Sequence, residues 1–166
     1  MAHLTIDFFS NCLRRTVQFQ MIIPGDFCNT WQIEQKRKGK RMKTLFLLHG
    51  YTGAAENWVP DNLSTLYNFA IVMPSGENGF WVDGPATGHQ YGAFIGEELP
   101  DYIRKTFGLA MNPEETYIMG LSMGGFGALH TALQYPETFG KVAALRQRQM
   151  CIRDSLYGVW NRGLPA

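Results

Sequence analysis

Thr116-Tyr-Ile-Met-Gly-Leu-Ser122-Met-Gly-Gly-Phe-Gly-Ala-Leu-His-Thr-Ala-Leu133 is the stretch from which the rest of the chain can be read. Thr116 to Leu121 is a short apolar run of the kind that forms a buried strand, and Met123 to Tyr135 reads as a helix stopped by Pro136. One serine stands between them. Gly120-Leu121-Ser122-Met123-Gly124 fits the G-x-S-x-G pattern of a nucleophile elbow, a turn sharp enough to strain the serine backbone and lift its hydroxyl clear of the sheet. Glycines two residues to either side leave room for the close packing this demands. The helix that follows aims its first N–H groups at whatever Ser122 attacks, which favours a developing oxyanion. The competing reading is a glycine-rich strand-to-helix turn with an incidental serine, as in a nucleotide-binding fold.

Upstream, Leu4 to Phe9 and Thr16 to Ile23 read as strands, the second alternating Val17, Phe19, Met21 and Ile23 on one side before Pro24-Gly25-Asp26 turns the chain. The basic run Gln35 to Lys43 has no interleaved aromatics and is expected to be a solvated loop rather than a nucleic-acid patch. Thr44-Leu-Phe-Leu-Leu-His-Gly50 and Phe69-Ala-Ile-Val-Met-Pro74 are continuous apolar runs, suited to central parallel strands buried on both faces. His49 is expected to brace the loop that follows rather than shuttle protons. Trp58 reads as a loop anchor. The glycine-rich, aromatic segment Asn78 to Tyr91 either lines a pocket through Phe80, Trp81 and Tyr91 or is a packed loop, and the residues alone leave both open.

Phe94, Ile95, Leu99, Tyr102, Ile103 and Phe107 recur at helical spacing, with Pro100 expected to kink or restart that helix. Glu97 and Glu98 are adjacent rather than facing, so they are expected to be solvated. Asn112-Pro-Glu-Glu reads as a capped single turn into the next strand. The alternation of elements argues for an α/β fold with a parallel-cored sheet and no internal repeat.

Composition narrows the function classes. With 166 residues, 45% of them hydrophobic, the chain can bury a core for one domain or part of one. A formal net charge of +1 gives no global attraction to nucleic acid or to a membrane surface. Cys12, Cys28 and Cys151 have no metal-ligand spacing, and their odd count favours reduced thiols and a cytoplasmic setting. The N-terminus shows no signal peptide, and no stretch reads as a membrane span.

Leu47-Leu-His-Gly50 with Trp58, Val72-Met-Pro74, Trp81 with Tyr91, Glu97-Glu-Leu-Pro100 and Gly120-Leu-Ser-Met-Gly-Gly125 resemble, in order and spacing, the α/β-hydrolase superfamily. More narrowly, the chain is similar to the esterase branch that holds tributyrin-type esterases, S-formylglutathione hydrolases, acetylxylan and feruloyl esterases and mycolyltransferases. The resemblance covers nearly all of residues 1 to 145. It implies hydrolysis of small-molecule, short acyl esters through an acyl-Ser122 intermediate. The amides of Met123 and Tyr51 would form the oxyanion hole, Trp81 and Tyr91 would bind substrate, and no metal or organic cofactor is called for. Acyl transfer and a non-catalytic binding module are the alternatives.

The chain departs from the family's order of Ser, then Asp or Glu, then His. Beyond Ser122 the sequence offers His130, eight residues on in the same helix and so about 12 Å along its axis. Glu137 and Asp154 follow, and no histidine follows either. His89 lies upstream. From Arg146 to Ser155 the resemblance stops, and the residues look like translated adapter read-through. The expectation is therefore that residues 1–145 are the N-terminal part of one α/β-hydrolase domain, through about its sixth strand, and that residues 146–166 are a non-native or disordered tail. Triad acid and base are expected to be missing, and Val142 to Leu145 to form a sheet edge that a complete fold would cover.

Overall fold

The computed structural model describes residues 1–25, 39–60 and 62–145. The tail from 146 onward, Cys28, Cys151 and residues 35–38 of the basic run lie outside the described residues. Six strands form one sheet in the order β1-β2-β4-β3-β5-β6. They are β1 (Ala2–Ser10), β2 (Arg15–Ile23), β3 (Lys43–Leu48), β4 (Phe69–Pro74), β5 (Thr116–Leu121) and β6 (Lys141–Leu145). β1 and β2 form an antiparallel hairpin, and β2 runs antiparallel to β4. From β4 through β3 and β5 to β6 every pairing is parallel.

The burial of each strand follows its sequence pattern. All of β4 after Phe69 is buried, and β3 ends in three consecutive buried residues, as continuous apolar runs between two helical layers require. β2 buries Val17, Phe19 and Met21 on the expected face. One face of the sheet carries the larger core, where Phe19, Phe46, Trp81, Phe94, Ile95, Leu99 and Ala128 meet. The other face carries a smaller cluster, Ile22, Leu47, Val59, Ile71 and Met73, against which Trp58 and Leu63 pack. Leu63 belongs to α1 (Asn62–Tyr67), the short helix between β3 and β4.

The amphipathic segment after Tyr91 is less regular than its spacing predicts. A single turn, Tyr91–Ala93, leads into a π-helical turn, Phe94–Glu98, and regular helix resumes as α2 (Leu99–Phe107) with Pro100 in its first turn. Pro100 thus restarts the helix, at a position where a missing N–H costs no hydrogen bond. Glu97 is exposed as expected, but Glu98 is not simply solvated. Its carboxylate accepts hydrogen bonds from Ser10 Oγ, from the amide of Asn11 at 2.6 Å and from that of Cys12 at 3.3 Å. Glu98 therefore fastens the β1–β2 turn to the helical layer. Burial, and then the Glu98 carboxylate, push the Cys12 thiol up to about 12, so it stays protonated.

The turn at Pro113–Glu115 is 3-10, and Asn112 does not cap it through its side chain. Instead Thr116 Oγ1 donates to the Asn112 carbonyl at 2.8 Å. At the far edge β6 pairs with β5 and is otherwise largely exposed among the described residues. No helix among them is long and apolar enough to cross a membrane.

Candidate active site

Ser122 links β5 to α3 (Met123–Gln134) with φ 56° and ψ −115°, a combination that L-residues rarely hold. Its amide donates to the Leu145 carbonyl at 2.8 Å, and its own carbonyl receives Phe126 N–H at 3.1 Å. The hydroxyl is left over. It makes no cap bond to α3 and no other hydrogen bond among the described residues.

The glycines of the motif have concrete spatial reasons. A Cβ at Gly120 would overlap the carbonyl of Gly124, and one at Gly124 would overlap the Leu48 carbonyl and sit 2.6 Å from that of His49. α3 therefore begins directly against the end of β3. Gly50 closes the other side, since a Cβ there would lie 3.5 Å from Ser122 Cβ. Gly50, where the loop after β3 begins, is thus a neighbour of Ser122.

Two backbone amides adjoin these residues in sequence, that of Met123 after Ser122 and that of Tyr51 after Gly50. Met123 is the first residue of α3, where an N–H has no intrahelical acceptor, and neither it nor the Tyr51 amide makes a hydrogen bond to any described residue. Tyr51 itself is exposed and its ring lies 6.1 Å from that of Phe80.

His49 is buried and fully engaged. Its Nδ1 pairs with the Gly50 carbonyl at 2.8 Å, and its Nε2 accepts Gly76 N–H at 2.9 Å. These partners fix a neutral ring with its proton on Nδ1. Burial holds the imidazole below its ordinary pKa, against smaller upward pulls from the Gly50 carbonyl and Glu56. The ring braces the loop, as expected from its place at the strand end.

Within the aromatic segment, Trp81 and Tyr91 are both buried and hydrogen-bonded. Trp81 is fully buried, held between Gly76 and Gly127, and donates from Nε1 to the His49 carbonyl at 3.2 Å. Tyr91 is buried too, with its hydroxyl donating to Glu77 at 2.7 Å and accepting from Arg15 at 3.1 Å. The same loop is strained, with Glu77, Phe80 and Trp81 at φ 49°, 52° and 61°.

Other histidines do not join Ser122. His130 is exposed on α3, stacked on Phe126, and lines a surface hollow with Val82, Asp83, Leu133 and Gln134. His89 is exposed beside Tyr91. One contact escaped the sequence reading altogether: Asn78 Oδ1 accepts the Thr52 amide at 2.9 Å, across 26 residues of sequence. The Asn-Gly step at Asn78 signals a turn but carries no hint of that partner.

A family model described as Putative esterase matches residues 10–148. The chain belongs to this family. This esterase-family chain is 36% identical over 149 residues to an acetyl esterase of Caldicellulosiruptor saccharolyticus, covering 87% of the chain and 56% of that protein. A fluorophosphonate-binding serine hydrolase of Staphylococcus aureus superposes with a TM-score of 0.70 at 25% identity, over 85% of this chain and 55% of that one. An S-formylglutathione hydrolase from Agrobacterium tumefaciens shares the fold at a TM-score of 0.68 and 23% identity, over 86% and 56%. The fold is that of the α/β-hydrolase-like esterases, and the chain spans just over half the length of these relatives.

Proposed function

We propose that Ser122 is the nucleophile of a carboxylester hydrolase that acts on short acyl esters through an acyl-serine intermediate. The observation that carries this reading is the serine's own backbone, at φ 56° and ψ −115°, with a hydroxyl that makes no hydrogen bond among the described residues. The acetyl esterase relative favours a small acyl group. In the reaction, Oγ bonds to the ester carbonyl carbon while the carbonyl π pair moves onto oxygen. The N–H groups of Met123 and Tyr51 receive that oxyanion, and an N–H aimed where charge develops is worth on the order of 10²–10³ in rate. Collapse of the intermediate expels the alcohol and leaves the acyl group on Ser122, and water then repeats the attack to release the acid. Trp81 and Tyr91, both buried, would support the site by packing rather than by touching the ester.

Two protons must move, one off Oγ and one onto the departing alcohol. His49 has both nitrogens committed, His130 is exposed and stacked on Phe126, and His89 is exposed beside Tyr91. We therefore assign the acid and base to the part of the longer relatives that this chain does not span. Without them, turnover should fall to the residual level, roughly 10³–10⁴-fold over water, that oxyanion stabilisation and binding alone supply.

A fluorophosphonate probe tests both halves. Its phosphorus is attacked by Oγ with loss of fluoride, so adduct mass on the Ser122 peptide reports the nucleophile directly. The 166-residue chain should label slowly and only at Ser122, the full-length protein rapidly, and Ser122→Ala not at all. Rapid labelling of the 166-residue chain would remove the argument for an absent base. A full-length protein that fails to label at Ser122 would remove the nucleophile.

A further inference from the structure

Tyr51 lies in the loop after β3, outside any helix or strand. What fixes it is visible in the two peptide groups on either side of it. The Tyr51 N–H shares a planar peptide with the Gly50 carbonyl, so holding that oxygen sets the direction of the N–H opposite it. The Gly50 oxygen is held twice, by His49 Nδ1 at 2.8 Å and by Gly53 N–H at 3.0 Å. The next peptide joins the Tyr51 carbonyl to the Thr52 N–H, and that N–H is taken by Asn78 Oδ1 at 2.9 Å. Thr52 sits at φ 64°, a conformation a threonine leaves readily unless something retains it.

Both holds lead to one place. Gly76 N–H donates to His49 Nε2, and Asn78 stands two residues further along the same loop. That loop is anchored in turn, because Glu77 receives the Tyr91 hydroxyl at 2.7 Å and pairs with Arg15 at 2.6 Å. Resting on the reading of Tyr51 N–H as an oxyanion donor, we propose that Asn78 is a positioning residue. Its amide oxygen retains the Thr52 peptide and, with His49 on the Gly50 peptide, clamps Tyr51 from both sides so that its N–H meets the oxyanion. Asn78 touches no reacting atom. It acts through Tyr51, and its contribution is made where charge develops rather than when the ester binds.

The test compares Asn78→Ala, Asn78→Leu and Asn78→Asp in the full-length protein with a p-nitrophenyl acetate assay, each preparation normalised by exhaustive fluorophosphonate titration of Ser122. Asn78→Leu fills similar volume without an acceptor and carries the comparison if the alanine variant folds poorly. Asn78→Asp keeps an acceptor for Thr52 N–H. The expected result is a fall in kcat of about five- to tenfold for Ala and Leu, the worth of one surface hydrogen bond, with KM unchanged and a substantial part restored in Asp. Amide exchange at Thr52 in the 166-residue chain should quicken in Ala and Leu and stay at the wild-type rate in Asp. A folded Leu variant with kcat within twofold of wild type, or a fall in kcat that Asp does not relieve, overturns the clamp. A full-length wild type that never labels at Ser122 overturns the hydrolase reading instead, and Thr52 exchange then still decides whether Asn78 holds the loop.

Discussion

Ser122 is bordered by two pieces of backbone that are kept in place by different forces. On the α3 side the hold is exclusion: Gly120 against the Gly124 carbonyl, and Gly124 against the carbonyls of Leu48 and His49, leave no room for one more carbon. On the loop side the hold is polar: His49 Nδ1 and Gly53 N–H donate to the Gly50 carbonyl, and Asn78 Oδ1 accepts from Thr52 N–H. The difference matters because repulsion between backbone atoms rises steeply, whereas a hydrogen bond nets little and can be lost singly. The helix side should therefore be intolerant and rigid, and the loop side tolerant and adjustable.

Adding one methyl group to the rigid side is the harshest challenge to that contrast. In Gly124→Ala the new Cβ meets backbone carbonyls of a central strand rather than the far end of a flexible side chain, so relief requires α3 to move off β3. Overpacking commonly costs 1–3 kcal/mol, and here the upper end, about 3 kcal/mol, is expected. Thermal or urea unfolding measures it. A loss below about 1 kcal/mol would mean that the helix start yields easily, and the distinction between the two sides would collapse.

How much of this was readable from the chain differs between the two sides for a physical reason. The exclusion contacts are made at the two glycines that stand two residues to either side of Ser122, so glycine spacing announces a close approach there, though not that the carbonyls of Leu48 and His49 make it. The parallel strands were equally legible, because β3 and β4 are buried on both faces and need unbroken apolar runs. The polar side joins residues 26 or 27 apart, Thr52 to Asn78 and His49 to Gly76. Neither Asn78 nor Gly76 has a sequence context that differs from that of an ordinary turn. Trp81 and Tyr91 were open between pocket and packing for the same reason: an aromatic in a loop says that it will be covered, not by what. Glu98 reads as solvated because it is adjacent to Glu97 rather than facing it, and the partners it finds, Ser10, Asn11 and Cys12, lie 86 to 88 residues away in sequence.

A smaller loss is expected when the polar side is cut at its most buried point. His49→Phe keeps a ring against Trp81, which lies 4.9 Å away, but it removes the acceptor for Gly76 N–H and the donor to the Gly50 carbonyl. Gly50 still has Gly53 N–H, so the chief cost is one buried amide without a partner, about 1–3 kcal/mol. Urea unfolding, with unchanged slope, would measure it. A larger loss than Gly124→Ala would invert the ranking of the two sides.

The gentlest probe is acid, which acts on the polar side while leaving the exclusion contacts untouched. His49 is kept neutral in the folded chain, chiefly by burial, so its folded pKa lies below the ordinary value of 6.5 that the unfolded chain recovers. Between those two values the unfolded state binds the extra proton and the folded state does not. Stability from this group is therefore complete above about pH 6.5 and is lost progressively as pH falls toward the folded pKa, with a slope bounded by one proton, about 1.4 kcal/mol per pH unit. The direction is also what the bonding requires, because a proton on Nε2 would expel Gly76 N–H from its acceptor. Wild type and His49→Phe compared by urea unfolding at pH 7.5, 6.5 and 5.5 isolate the effect, since other titrating groups are common to both. The stability gap between them should narrow as pH drops. A gap that stays constant would mean that His49 gains and loses its proton alike in both states, and that the loop beside Ser122 is held by something other than a neutral imidazole.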